Sequence, residues 1–151
     1  MSLSKPTQNG PGNSQRGVFT INELSPGMTL EEASEVVGPL FLSVRDKRNP
    51  QYPVQYVTES LPGLWVYLNK GSTVIDDIRG FSIERDKISV LKLGASSTTV
   101  EKILGLPEAK IGWARQFWSY HNVGITGISL SLMLDEGVLS GISTITGGRT
   151  R

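Results

Sequence analysis

The chain contains no cysteine and only one histidine, His121, among its 151 residues. The absence of cysteine excludes disulfide bonds, thiolate nucleophiles and zinc sites of the cysteine type. The single histidine excludes a metal centre built from several histidines, and a lone histidine at a strand end is more often solvated or hydrogen-bonded than catalytic. We therefore expect no resident metal and no cofactor.

Long apolar runs and an excess of one charge are also lacking. There is no stretch of about 18 apolar residues, which excludes a membrane-spanning helix, and the first 17 residues have no apolar signal core. The 15 Lys and Arg residues balance 14 Asp and Glu residues, leaving a net charge of +1. This balance gives no chain-wide attraction to nucleic acid or to an anionic membrane.

Motifs of the common enzyme classes are missing as well. The sequence has no Gly-x-Ser-x-Gly elbow, no phosphate-binding loop and no calcium loop. Its carboxylates include the adjacent pairs Asp76-Asp77 and Asp135-Glu136. Neighbouring residues of a strand point to opposite faces, so such pairs do not suit shared acid–base work. We predict no catalytic residues and a protein that is not an enzyme.

The composition, 38% apolar and 19% charged, is sufficient to build a core. Residues 1–17 consist mostly of polar residues, glycine and proline and are predicted to be a flexible tail, and residues 147–151 a frayed end. Residues 18–87 and 88–146 are predicted to be two units that pack together as one compact domain, because each alone is too small to bury its apolar face.

The two units share a motif that recurs after 67 residues. The stretch "SPGMTLEEASEVVGP" in the first unit matches "KLGASSTTVEKILGLPE" in the second. Each has a glycine, a hydroxyl residue that caps a short apolar helix, and a closing glycine followed by proline. Thr29 and Glu32 have the spacing of a capping box, whereas Thr99 stands in place of the carboxylate in the second copy. We therefore expect the second cap to be weaker.

After each predicted helix, the apolar period changes from 3.6 to 2, which indicates strands. The predicted strands are 51–60, 63–69 and 73–84 in the first unit, and 114–122, 125–135 and 137–146 in the second. Residues 41–53 are predicted to be a loop with a strand start near Phe41. The predicted fold class is α+β, with two tandem repeats that each place a short helical element before a three- to four-stranded antiparallel meander.

The two helix motifs, together with "FWSYHNVGITGISLSLMLDEGVLSGIS", resemble the fold family that contains the β-lactamase inhibitory protein of soil bacteria and the small outer-membrane lipoproteins of the SmpA/OmlA type. The resemblance spans about residues 18–145, and the doubled unit is closer to the inhibitory protein. It implies a sheet whose open face carries aromatic side chains and binds a partner protein. The inhibitors have a disulfide in each unit. Its absence here weakens an inference of β-lactamase inhibition and leaves the fold inference standing.

Strand alternation identifies candidate residues for such a face. In "LWVYLN", Leu64, Val66 and Leu68 point to one side and are predicted to be core, which leaves Trp65 and Tyr67 on the other. The predicted protein-binding residues are Trp65, Tyr67, Trp118, Tyr120 and Met133. Large amphipathic side chains of this kind suit a protein interface. The alternative is that the second unit covers these aromatic side chains as part of the core.

The leading hypothesis is a non-catalytic protein-binding module, either an inhibitor or an adaptor. One alternative is a structural accessory domain of a bacterial cell-envelope lipoprotein or assembly complex. Another is a small-ligand-binding domain with its pocket between the two units. The expected partner is a protein and not a nucleic acid, and the chain is expected to be a monomer or a homodimer. An extracytoplasmic location is favoured over a cytoplasmic one.

Overall fold

The computed structural model describes residues 19–43, 54–69, 71–121 and 128–146. These residues form two helices and eleven strands, and every registered strand pair is antiparallel. The predicted α+β class with antiparallel sheets is therefore confirmed. The predicted tail, the predicted frayed C-terminus and most of the 41–53 loop lie outside the described residues.

The elements follow one another along the chain as two helices among eleven short strands. They are β1 (Phe19–Ile21), α1 (Leu30–Val37), β2 (Phe41–Leu42), β3 (Val54–Val57), β4 (Trp65–Leu68), β5 (Asp77–Gly80), β6 (Ser82–Arg85), β7 (Ile88–Lys92), α2 (Ser97–Leu104), β8 (Ala109–Gly112), β9 (Arg115–His121), β10 (Ile128–Asp135) and β11 (Val138–Thr146).

The two helices begin at caps of unequal strength. At α1, Thr29 Oγ1 accepts a hydrogen bond from Glu32 N at 3.1 Å, and Glu32 Oε1 accepts one from Thr29 N at 3.0 Å, which completes a capping box. At α2, Ser96 Oγ accepts from Thr99 N at 3.2 Å, but Thr99 has no carboxylate to return the bond. The first helix therefore has the predicted capping box, and of the two bonds of such a box the second helix has only the one from Thr99 N to the Ser96 hydroxyl.

Replacing Thr99 with glutamate is expected to complete the second capping box and to stabilise the protein by about 0.5–1 kcal/mol. The matched control is Thr98→Glu, which adds the same charge to the same helical turn but not at the position that reaches the cap N–H. Both carboxylates interact favourably with the helix dipole. Urea unfolding should therefore show a larger gain for Thr99→Glu, and an equal gain for both would contradict the capping explanation.

Eight strands form one sheet in the order β2-β3-β4-β5-β11-β10-β9-β8. Strands β2 to β5 make one half and β8 to β11 make the other. The halves meet where β5 pairs with β11, with Gly80 opposite Ile142 and Arg79 opposite Ser143. The last strands of the two halves therefore lie side by side at the centre of the sheet.

The other sheet has three strands in the order β1-β6-β7. The single strand predicted over 73–84 is in fact two strands, β5 and β6, which belong to different sheets. The chain crosses between the sheets at Phe81, whose N–H donates to Asn22 Oδ1 at 2.9 Å and whose carbonyl accepts from Leu93 N at 3.1 Å. We call this crossing the sheet switch.

One side of the eight-stranded sheet is covered. Its side chains join those of the two helices and of the small sheet in one buried cluster; the members of this cluster include Ala33, Val37, Val66, Ile78, Ile83, Leu91, Val100, Leu104, Leu132 and Ile142. Leu64, Val66 and Leu68 are buried, as predicted from their alternation. The opposite side of this sheet, which carries Trp65, Arg79, Ser131, Phe117 and Met133, is called the open face below.

Candidate functional site

A continuous row of side chains crosses the open face from edge to edge. Residues directly opposite each other in antiparallel strands share a face, so the registers place eight residues in this row. They are Phe41, Val57, Trp65, Arg79, Ser143, Ser131, Ser119 and Ala109. Beside this row lies a shorter one in which Gly141, Met133, Phe117 and Ile111 are opposite one another.

Three of the predicted binding residues lie on this face. Trp65 and Tyr67 are half-buried on β4, on the side away from Val66 and Leu68, and Met133 is half-buried on β10. The structure places Trp65 opposite Arg79 and Met133 opposite Phe117. The orientation predicted for these three side chains is therefore correct, and their role in binding stays a prediction.

The prediction that Trp118 and Tyr120 lie on the exposed face is wrong. Their side chains are 2% and 0% exposed, because the register of β9 with β10 pairs them with the buried residues Leu132 and Leu130. Tyr120 Oη donates to the carbonyl of Gly105, just after α2, at 2.8 Å. These two aromatic residues therefore belong to the core beneath the helix and offer no surface to a partner.

Two residues of the open face were not singled out from the sequence. Phe117 is 44% exposed and stands where Trp118 was expected. Arg79 is exposed and lies opposite both Trp65 and Ser143. Phe117 and Trp118 are neighbours on β9 and must point to opposite sides of the sheet. The sequence therefore already showed that one of the two lies on the open face.

A groove of about 620 Å³ lies where the open face meets the sheet switch; we call it the Arg79 groove. Trp65, Phe81 and Leu93 give it apolar walls, and Arg79 and Lys92 supply its cations. A second hollow, of about 230 Å³, continues toward Phe117 and shares Arg79 with the groove. The two hollows therefore lie next to each other on the open face, and we call them together the depression.

Gly141 also lines both hollows, and because glycine has no side chain it does not fill them. A Cβ atom at this position would lie 3.2 Å from Met133 Cβ and 3.3 Å from Met133 Cε. Such a methyl group would press on Met133 and take up space beside both hollows. The glycine therefore contributes to the depth of the depression.

The charge that the described residues give the Arg79 groove is positive. The guanidinium of Arg79 lies over the Trp65 ring, 5.1 Å from its centroid. Among the described residues, neither Arg79 nor Lys92 has a carboxylate within salt-bridge distance. A cation–π contact uses the flat face of the guanidinium and leaves its in-plane N–H donors available. The groove thus presents donors and positive charge beside aromatic walls.

Comparisons with known proteins add no relative from which this face could be interpreted. No family model, curated protein or solved structure matches the chain. The open face must therefore be interpreted from its own chemistry.

Near this depression, Arg115 and Asp135 form an ion pair across β9 and β10. Arg115 Nε donates to Asp135 Oδ1 at 2.7 Å, and Ser140 Oγ donates to Asp135 Oδ2 at 2.6 Å. These hydrogen bonds, that of Arg115 first, hold the pKa of Asp135 below its ordinary value of 3.8. The same pairing raises the pKa of Arg115. Asp135 therefore does not leave an unbalanced negative charge beside the groove.

The lowered pKa of Asp135 predicts a pH-dependent contribution to stability. A carboxylate whose pKa is lower in the folded state stabilises the protein above its unfolded pKa, and the benefit is lost as pH falls through the folded pKa. Asp135→Asn should therefore lower the melting temperature at about pH 6, and this effect should shrink as pH falls below the ordinary pKa of 3.8. Glu136→Gln removes a charge from the next position, where no ion pair is formed among the described residues. This control should show a smaller pH-dependent difference, and equal profiles would contradict the role of the Arg115 bond.

The single histidine lies at the end of β9, away from the Arg79 groove. His121 Nδ1 is 2.9 Å from Ser129 Oγ, and His121 N donates to Glu108 Oε1 at 3.2 Å. Within the described ranges, no cluster of three or more His, Asp or Glu side chains has a geometry that could hold a metal ion. In the same ranges, neither helix is long and apolar enough to cross a membrane.

Proposed function

We propose that this protein is a non-catalytic binding module that holds a protein partner on the open face of its eight-stranded sheet. The observation that carries this proposal is the depression of Trp65, Arg79, Phe117 and Met133, on the side of the sheet away from the helices. Aromatic residues, methionine and arginine are the types enriched at the centres of protein interfaces.

The ionisable groups of the depression support binding over catalysis. Among the described residues that line the groove and its continuation, the charged ones are Arg79 and Lys92. General acid–base or nucleophilic chemistry needs a proton acceptor near neutral pH, and two cations without an adjacent base do not supply one. Cations beside aromatic side chains instead suit recognition of a surface that is partly apolar and partly anionic.

We also propose that the chain is a tandem repeat of the kind found in the fold family of the β-lactamase inhibitory protein. Equivalent backbone hydrogen bonds anchor the segment before each helix. Gly27 N donates to Ile75 O and Gly94 N donates to Leu139 O, both at 2.8 Å. The pairing of β5 with β11 at the centre of the sheet supports this proposal, since each is the last strand that its proposed unit contributes to the eight-stranded sheet.

A small-ligand-binding domain is the second candidate, and the volume of the Arg79 groove, about 620 Å³, favours it. This volume lies within the range of sites that take small organic molecules. The continuation of the depression toward Phe117 favours a longer occupant instead. A structural role in a cell-envelope complex remains an alternative prediction.

The proposal is tested by capturing partners from native lysate and envelope fractions with a Trp65→Thr/Phe117→Thr variant. Threonine keeps the preference for strand structure while removing the aromatic contact area. We expect this variant to lose at least one protein that the wild type captures reproducibly, because both changes fall on the open face. Captured proteins are identified by quantitative mass spectrometry.

The matched control is Val36→Thr/Ile88→Thr, which replaces two exposed apolar residues elsewhere. Val36 is on α1 and 45% exposed, and Ile88 is on β7 and 67% exposed. This control should capture the same proteins as the wild type. Circular dichroism and thermal melting establish that both variants are folded. A capture profile that is unchanged in the open-face variant would refute the proposed function.

A further inference from the structure

We infer that the occupant of the depression is an extended segment of a partner protein, about six residues long, with a carboxylate near its middle and apolar side chains at both ends. This inference rests on the proposed function and names the chemistry of the partner. It follows from the charge of the groove, the spacing of its apolar contacts and the length of the depression.

The carboxylate is assigned to Arg79 and Lys92. Both residues line one groove, and neither has a carboxylate partner among the described residues. The Arg79 guanidinium lies over the Trp65 ring, with Cζ 5.1 Å from the ring centroid, and this contact leaves N–H donors available to a ligand. A carboxylate accepts two parallel hydrogen bonds from a guanidinium. Lys92, which lines the same groove, adds a second cationic side chain.

Among the described residues, the carboxylates of Asp135 and Asp77 form no salt bridge with these cations. Asp135 is engaged by Arg115 and Ser140, as described above. Asp77 lies two residues from Arg79 on the same strand, but it is 2% exposed, does not line the groove, and accepts a hydrogen bond from Thr144 Oγ1 at 3.5 Å. The groove therefore retains positive charge that an acidic segment would complement.

The apolar contacts lie on both sides of Arg79. Trp65, Phe81 and Leu93 form the walls on one side, and Phe117 with Met133 forms the other end. From β4 to β9 the sheet takes four strand-to-strand steps, which is about 19 Å at the usual spacing. An extended chain advances about 3.3 Å per residue, so about six residues span this distance. Serine hydroxyls of Ser131 and Ser143 lie between the ends and can bond peptide groups.

The N-terminal residues of the chain itself are a poor occupant. Residues 1–18 contain neither aspartate nor glutamate. They cannot supply the carboxylate that the two cations require. A partner chain with acidic and apolar side chains is the occupant that this charge pattern favours.

The test uses the full chain and a fluorescent hexapeptide with blocked ends, phenylalanine at positions one and six, aspartate at position three and serine elsewhere. The matched peptide has asparagine at position three. Fluorescence anisotropy should show that the wild type binds the aspartate peptide about tenfold or more tightly than the asparagine peptide, which is the usual size of a lost charged hydrogen bond. Added salt should reduce this preference.

Single substitutions in the protein test whether the preference for the aspartate peptide depends on the Arg79 groove. Arg79→Gln should remove it, and Lys92→Gln should reduce it. Lys87→Gln removes one positive charge from the β6–β7 turn, outside the groove, and should retain the full preference. Circular dichroism of each variant establishes its fold.

The inference would be overturned by no binding of the aspartate peptide by the wild type, by equal binding of the two peptides, or by a preference that survives Arg79→Gln. Phenylacetate that competes as tightly as the hexapeptide binds would also overturn it, in favour of a small ligand. If any of these results appears while the Trp65→Thr/Phe117→Thr variant still loses a captured protein, the inference fails and the proposed function stands. If capture does not depend on them but the peptide preference appears, the proposed function fails and the peptide site remains.

Discussion

Replacement of Trp118 by alanine is expected to lower the free energy of unfolding by about 3–5 kcal/mol, the usual cost of truncating a large buried aromatic residue. The Trp118 side chain is 2% exposed and lies opposite Leu132 in the core. Its indole N–H donates to Gln116 Oε1 at 2.9 Å, and the Lys110 ammonium lies 4.2 Å from the ring centroid. Truncation would leave a cavity and remove both polar contacts. Urea unfolding monitored by circular dichroism measures the loss.

Trp113 offers a matched control for the Trp118→Ala substitution. Trp113 is 93% exposed, so Trp113→Ala should change the stability by no more than about 0.5 kcal/mol. The two variants differ in burial and not in the chemistry of the substitution. Equal effects would contradict the burial of Trp118. A large effect of Trp118→Ala would also explain why this position is unsuitable for mapping a binding surface.

Replacement of Gly80 by alanine is expected to destabilise the protein by about 3 kcal/mol, because the added methyl group meets the turn after β1. A Cβ atom at Gly80 would lie 2.6 Å from Ile21 Cγ2 and would overlap Asn22 Oδ1. That oxygen accepts the hydrogen bond from Phe81 N at the sheet switch. The substitution therefore forces the turn away and leaves a backbone donor without its partner.

Gly27→Ala separates this steric effect from ordinary backbone strain. Gly27 has φ +100° and no atom within 4 Å of a Cβ position, so its substitution costs only the unfavourable backbone conformation, about 1–2 kcal/mol. Chemical unfolding should rank Gly80→Ala as the more damaging change. Adding Asn22→Gly to Gly80→Ala should recover part of the loss, since the obstructing amide is then absent. No recovery would refute the assigned contact.

The helices were predictable because their signals are local. Each helix starts at a cap formed within four residues of sequence, by Thr29 with Glu32 in α1 and by Ser96 with Thr99 in α2. Each helix ends at a glycine. The structure begins and ends both helices where these signals lie. The positions of β3, β4, β9, β10 and β11 were predictable for the same reason, since alternation is a property of consecutive residues.

The side of the sheet that β9 presents to the core was not predictable in this way. Alternation separates Phe117 from Trp118 but does not say which of them faces the helices. That choice is made by the register with β10, which places Trp118 opposite Leu132. Strand β9 has aromatic residues on both sides, so neither side could be identified from the sequence as the polar, solvent-facing one. The predicted side of the sheet was therefore correct for Trp65, Tyr67 and Met133 and wrong for Trp118 and Tyr120.

The small sheet was missed because its turn signal is weak and its strands depend on distant partners. The β6–β7 hairpin turns at Asp86 and Lys87, which both have positive φ, without the glycine that usually marks such a turn. Strand β1 contains three residues and pairs with β6 across more than sixty residues of sequence. The break at Phe81 has the same origin, because Asn22 and Leu93 hold it from elsewhere in the chain.

The pairing of β5 with β11 has a consequence for how the protein is made. Gly80 and Ile142 are separated by 62 positions (142 − 80 = 62), so the ribosome completes β5 long before its neighbour exists. At about 5–20 residues per second, the nascent chain carries an unpaired strand edge for roughly 3–12 s. An exposed edge of this kind is a template for intermolecular pairing. A fragment that ends before β11 keeps this edge and is expected to aggregate where the whole chain does not.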